Sequence, residues 1–331
     1  MHLKMERNKE MKQILKYLLF VFMTVSAGCA QKPAEETDTG SLRIVTTLFP
    51  YNDWVAAITE NTGTPVQTRF LLNSGSDLHS FQPSASDIAA ISECDLFIYT
   101  GGESDEWTED ALRQSSNENR IVINLMDVLK DHLKEEEMKE GMQEEDHEHE
   151  EETEFDEHVW LSLRNAQLCC EAIEEALSSL LSDESSLFKE NLENYVRQLQ
   201  QLDASYAETV QNGSVHTLLF ADRFPFRYMI EDYGLDYYAA FAGCSAEAEA
   251  SFETIRFLAE KCDELQLKNI LVLESSDRRL ADTIINTAVQ KDINILELNS
   301  LQSMTQKDAD QGITYLQIME NNLEILKKAV N

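Results

Sequence analysis

"SSLFKENLENYVRQLQQLDASYAETVQNG", Ser185–Gly213, runs for about 28 residues with no internal breaker. Leu187, Leu192, Tyr195, Leu199, Leu202 and Tyr206 recur at steps of three or four, with one step of five. That period draws a single apolar stripe along a long helix. What lies on either side of the helix decides the fold.

Upstream, short β-branched runs alternate with helical ones. "LRIVTTLFP" (Leu42–Pro50) reads as a buried strand and "DWVAAITENTG" as a helix stopped by Gly63. "TPVQTRFLL" is a second strand, and "SASDIAAISEC" a helix capped by Ser84 or Ser86. "DLFIYTGG" is a third strand closed by glycines, "WTEDALRQSS" a helix and "RIVINLMD" a fourth strand. Downstream the alternation restarts with "HTLLFAD", "FRYMIEDYGL", "DYYAAFAG", "SFETIRFLAEKCDELQ", "NILVLES", "RRLADTIINTAVQKD" and "NILELNS", and "TYLQIMENNLEILKKAV" closes it as a helix. The expected fold is α/β: two lobes, each a parallel sheet flanked by helices, joined by one long backbone helix. Ligands in such sheets bind beyond the carboxyl ends of the strands, where Pro50, Asp222, Glu274 and Asn299 fall.

The 331 residues, 43% hydrophobic, suffice for a sizeable core. A formal net charge of -34 excludes nucleic-acid phosphates as partners and attracts cations. Residues 1–29 read as a signal peptide: Lys4, Arg7, Lys9, Lys12 and Lys16, an apolar run from Tyr17 to Val25, then Ser26, Ala27, Gly28 and Cys29. Small residues before Cys29 resemble a bacterial lipobox, with Ser26 where Leu is more usual, and imply a lipidated Cys29. Residues 30–41 form a polar tether. The N-terminal lobe is expected over 42–183, the connecting helix over 184–212 and the C-terminal lobe over 213–331. Cys94, Cys169, Cys170, Cys244 and Cys262 show no CxxC, so small buried side chains are expected, with a Cys244–Cys262 disulfide open.

Within the first lobe the pattern breaks at 131–157. Fourteen Asp and Glu stand between Glu135 and Glu157, and His132, His147 and His149 lie in the same stretch. It reads as a disordered loop or a poorly ordered helix. His147 and His149 among flexible carboxylates suit weak binding of several metal ions. Two other histidines stand outside it. His79 lies on a loop in "GSDLHSFQPSASD", and His158 in "DEHVWLSLRNA", where the acidic run gives way to a helix. Imidazole binds zinc, manganese, iron, nickel or copper through one nitrogen, and the other nitrogen needs an acceptor. Asp77 and Asp156 are the nearby candidates for that acceptor.

These two stretches resemble "G.DPHxFEPTPxD" and "DPHxWLDPxNA" of the zinc- and manganese-binding substrate-binding lipoproteins of bacterial ABC importers. "TTLFPYNDWV" matches that family's first strand, "GCSAEAEASFETI" the start of a second-lobe helix, and the His/acid loop sits in the place where zinc members carry one. The resemblance runs from about residue 42 to the C-terminus and implies that His79 and His158 are metal ligands. A third ligand, His or Glu in the family, falls in "LLFADRFPFRYM", where Asp222 takes the position. The fourth, an Asp, falls at Asn299, with Glu274 plus a water, or Glu297, as alternatives. Tyr51, Trp54, Trp160 and Phe224 would wall the cleft.

Two imidazoles with a carboxylate suit zinc (Zn2+), while more oxygen ligands suit manganese (Mn2+), the runner-up. The resemblance implies a monomeric extracytoplasmic protein, held at the membrane by its lipid, that captures the ion and delivers it to an importer permease. No HExxH, GxSxG or phosphate-cradling glycine loop points to an enzyme. A surface adhesin with a degraded metal site is the expectation from another class, and it predicts binding that survives loss of both histidines.

Overall fold

The computed structural model describes residues 40–75, 78–114, 116–143, 154–243 and 249–331. Residues 41–331 form one compact unit. The signal, tether residues 30–39, Asp77, His147, His149 and Cys244 lie outside the described residues.

Two four-stranded sheets carry the two lobes. The first holds β1 (Leu42–Thr46), β2 (Val66–Phe70), β3 (Leu96–Tyr99) and β4 (Ile121–Asn124) in the order β2-β1-β3-β4, every pair parallel. The second holds β5 (Thr217–Phe224), β6 (Asp236–Ala242), β7 (Asn269–Leu273) and β8 (Asn294–Leu298) in the order β6-β5-β7-β8, again parallel. Because every pair is parallel, the carboxyl ends of the four strands emerge along one edge of each sheet.

The first strand is shorter than its apolar run. It ends at Thr46, and Phe49 and Pro50 open the helix Phe49–Ile58 with proline in the first turn. There the missing N–H costs nothing, because that donor has no partner inside a helix. Ser84 caps the helix Ala85–Glu93 through a capping box with Asp87.

The long helix spans Ser185–Asn212. It buries Phe188, Tyr195, Leu199, Leu202, Tyr206 and Val210. Phe188 takes the place expected of Leu187, and the step of five disappears. The helix runs down the back of both lobes. Asn191 Nδ2 donates to Ile58 O and Glu60 O in the first lobe, each at 2.9 Å. Tyr206 Oη donates to Met319 O at 2.6 Å in the last helix, Tyr315–Ala329. One apolar core continues from β1 in the first lobe through this helix to Val330, and a smaller one fills the outer face of the second sheet.

The described ends of the acidic stretch, 131–143 and 154–157, are neither helical nor loose. Glu135 and Phe155 form an antiparallel bridge, and Glu136 N donates to Glu154 O at 2.9 Å. Gln143 N donates to Ala240 O at 2.9 Å, and Lys139 pairs with Asp236, so the second lobe holds them. Among the described cysteines, Cys94, Cys169, Cys170 and Cys262 are buried free thiols.

Candidate metal centre

His158 ends the acidic stretch and enters the short turn Val159–Leu161. Its ring is fully buried. Asp156 Oδ1 accepts from the main-chain N of His158 at 2.8 Å and contacts ring Nδ1 at 2.9 Å. Tyr228 Oη donates to Asp156 O at 2.7 Å, and Asp156 N donates to Lys134 O, so the main chain that carries this carboxylate is itself anchored. A carboxylate accepts only, so the ring proton sits on Nδ1 and the lone pair on Nε2. That Nε2 is buried with no hydrogen-bond partner. Leaving such an acceptor bare costs roughly 1–3 kcal/mol unless a ligand fills it. Burial alone would push the imidazole's pKa down, but Asp156, Glu157 and Glu136 overcome this and raise it.

His79 reaches the same place from the turn Leu78–Ser80, with its ring centroid 5.4 Å from that of His158. Its Nδ1 lies 2.7 Å from Ser104 Oγ and 3.8 Å from Glu157 Oε2. Its side chain is 15% exposed, against 0% for His158, so His79 is the imidazole nearer solvent.

The surroundings fix the His158 ring. Trp160 lies 5.3 Å from His158, centroid to centroid, and donates from Nε1 to Ser300 O of the second lobe at 2.8 Å. Tyr51, Trp54, Trp160 and Phe224 are all fully or almost fully buried. Gly243, at the end of β6, brings backbone against His158: a Cβ there would sit 3.0 Å from His158 Cε1 and 2.9 Å from Phe224 O. The site therefore lies at the seam of the two lobes.

The other three expected ligands are engaged in shaping the second lobe. At a shift of register in β5, Asp222 Oδ1 accepts from Arg223 N at 2.9 Å and Oδ2 from Leu273 N at 3.3 Å. Glu274 accepts from Ser300 N and Ser300 Oγ at 2.9 Å and from Ser303 Oγ at 2.7 Å. Asn299 Oδ1 accepts from Leu301 N at 2.7 Å, supporting the left-handed backbone of Leu301. Glu297 is exposed and pairs with Arg278 at 2.9 Å. These hydrogen bonds fix where each oxygen points and use part of its acceptor capacity. Among the described residues, no three His, Cys, Asp or Glu side chains gather as a ligand set. What the structure does bring together is the pair His79 and His158.

Two residues at this pair were not singled out from sequence. Glu157 is 3% exposed, and its Oε1 accepts from Ser104 N at 2.9 Å. Burial pushes its carboxyl pKa up, and the hydroxyl and N–H of Ser104 pull it back. The signal was an acidic residue directly beside a candidate histidine, hidden at the end of the acidic run. No helix among the described residues is long and apolar enough to cross a membrane.

Comparison with known proteins agrees with this architecture. The chain is 30% identical over 329 residues to the zinc-binding lipoprotein AdcA of Streptococcus pneumoniae, covering 98% of this chain and 61% of AdcA. It thus spans about three fifths of that relative's length. It is 26% identical over 316 residues to the high-affinity zinc uptake system protein ZnuA of Bacillus subtilis, covering 94% of each. The crystal structure of the Zn(II)-bound ZnuA-like domain of S. pneumoniae AdcA superposes with a TM-score of 0.69 at 27% identity, covering 88% of this chain and 99% of that one. The model of the zinc-uptake complex component A periplasmic family, ZnuA, matches residues 44–329, and the chain belongs to that family.

Proposed function

We propose that this protein captures a divalent transition metal ion outside the cytoplasm, zinc in preference to manganese, and delivers it to the permease of an ABC importer. The observation that carries this reading is the imidazole pair. Two imidazoles on one tetrahedral zinc, with Zn–N of about 2.0–2.1 Å, have ring centroids roughly 5.2 Å apart; those of His79 and His158 are 5.4 Å apart. The buried lone pair of His158 Nε2 adds a donor with no other occupant. The zinc-binding names of AdcA and ZnuA point to the same ion.

Water, or one of Asp222, Asn299 and Glu274, completes the coordination. His147 and His149, among neighbouring carboxylates, add weak binding of further metal ions. A lipid on Cys29 holds the monomeric protein at the membrane, and the protein transforms no substrate.

Competitive metal titration tests the reading. All chains compared carry His147→Ala and His149→Ala, so that weak loop sites do not mask the result. One tight zinc per chain is expected, with affinity falling by well over ~100-fold when His79→Ala and His158→Ala are added, beyond what loss of an orienting partner costs. Equal zinc binding with and without those two imidazoles contradicts the proposal.

A further inference from the structure

The residue that aims His158 is itself held from the other lobe. Tyr228 lies on the short second-lobe helix Arg227–Asp232 and is 1% exposed. Its hydroxyl has one proton to give and lone pairs with which to accept. It donates to Asp156 O at 2.7 Å and accepts from Lys134 N at 3.2 Å. Lys134 stands on the outgoing leg of the acidic stretch and Asp156 on the returning leg. The two legs also bond to each other, Asp156 N donating to Lys134 O at 2.9 Å. One buried oxygen therefore closes a three-way junction. The same helix grips the outgoing leg twice more: Lys134 Nζ pairs with Glu231 Oε2 at 2.7 Å, and Arg227 donates to Glu135 O. Farther along that leg, Gln143 Oε1 accepts from Ser251 N at 2.8 Å.

We propose that Tyr228 is a positioning residue through which the second lobe seats His158. The directions of the bonds are fixed by chemistry: a carbonyl only accepts and a main-chain N–H only donates, so the hydroxyl must serve both legs at once. Tyr228 holds the Asp156 peptide, and the Asp156 carboxylate holds the main-chain N and the ring of His158. An imidazole of the first lobe is thus kept in place by a hydroxyl of the second. Phenylalanine would fill the same apolar space, but it would leave the Asp156 carbonyl and the Lys134 N–H without this partner. Movement of the helix Arg227–Asp232 away from the first lobe would release the Asp156 peptide, and with it the seat of His158.

The purpose of this seating rests on the metal-binding reading, but its first test needs no metal. Amide hydrogen exchange is followed by NMR in the metal-free wild type and in Tyr228→Phe, which keeps the ring and removes only the hydroxyl. Neither the Asp156 nor the His158 amide bonds to that hydroxyl; they donate to Lys134 O and Asp156 Oδ1. Both are expected to exchange faster by roughly 3–10-fold, while amides of β3 and of the long helix keep their rates. Zinc affinity is expected to fall by roughly 3–10-fold, less than for loss of the partner that touches the ring. Unchanged exchange at Asp156 and His158 overturns the proposal. So does an acceleration shared equally by β3 and the long helix, which reports a loss of global stability alone. Zinc binding as tight in Tyr228→Phe as in a tight-binding wild type overturns it too. The expected exchange pattern in a wild type that takes up no tight zinc would leave the junction standing and defeat the metal-binding reading instead.

Discussion

Asp156 accepts from both the main chain and the ring of His158. An Asp156→Ala chain therefore keeps the imidazole and loses what aims it. Zinc affinity should fall by roughly 10–100-fold in a competition titration; an unchanged affinity would mean that Trp160 and Gly243 hold the ring by packing alone. Gly102→Ala should destabilise the metal-free protein by about 1–3 kcal/mol in urea unfolding, because it forces a side chain into the left-handed region and onto Glu157. At this scale the sequence is legible only in part. His79, His158 and the acceptor Asp156 could be read from two short motifs. Asp222, Glu274 and Asn299 also sit near strand ends, but position along a strand does not say which N–H groups a side chain will accept from. Asp156 and Glu157 look like their neighbours in a run of fourteen acids, and only the fold shows that these two are 3% exposed.

Among the elements, periodicity carried the reading well. The alternation of strands and helices predicted both sheets, and the long helix appeared where its apolar stripe lay. Errors came at ends, where Pro50 begins a helix and does not finish a strand. Pairing between distant helices was not legible at all. Asp53, on the helix Phe49–Ile58, accepts from Tyr315 N at 3.0 Å and from Tyr195 Oη at 3.4 Å, joining three helices. Burial pushes its carboxyl from 3.8 up to about 6. Between those values the folded chain holds a proton that the unfolded chain has lost. Stability from this group therefore falls as pH rises from about 4 to 6, and the deficit persists above that. Asp53→Asn keeps an acceptor without the charge. It should be more stable than wild type at pH 7 by up to about 3 kcal/mol and should lack this slope between pH 4 and 6. Urea titrations at several pH values check it; identical pH profiles would refute the assignment.

For the whole molecule, the two lobes are tied at several places besides the long helix. Ser74 bridges Thr305, Trp160 donates to Ser300 O, Gln143 N to Ala240 O, and Tyr315 N to Asp53. The larger apolar core is continuous between them. Hinge opening on the scale of two separate domains would break these contacts. Small-angle scattering should accordingly give radii of gyration that agree within about 1 Å with and without zinc, since packed cores resist continuous deformation; a larger change would show that the lobes swing apart. The net charge of -34 draws cations to the surface, so zinc association should slow as salt rises.

The most direct measurement is X-ray absorption at the zinc edge on the protein loaded with one equivalent of zinc, in the His147→Ala/His149→Ala background. Two imidazole nitrogens at about 2.0–2.1 Å are expected, and their multiple scattering should disappear in the His79→Ala/His158→Ala chain. A shell of oxygen alone, or imidazole scattering that survives the loss of both histidines, would contradict the account.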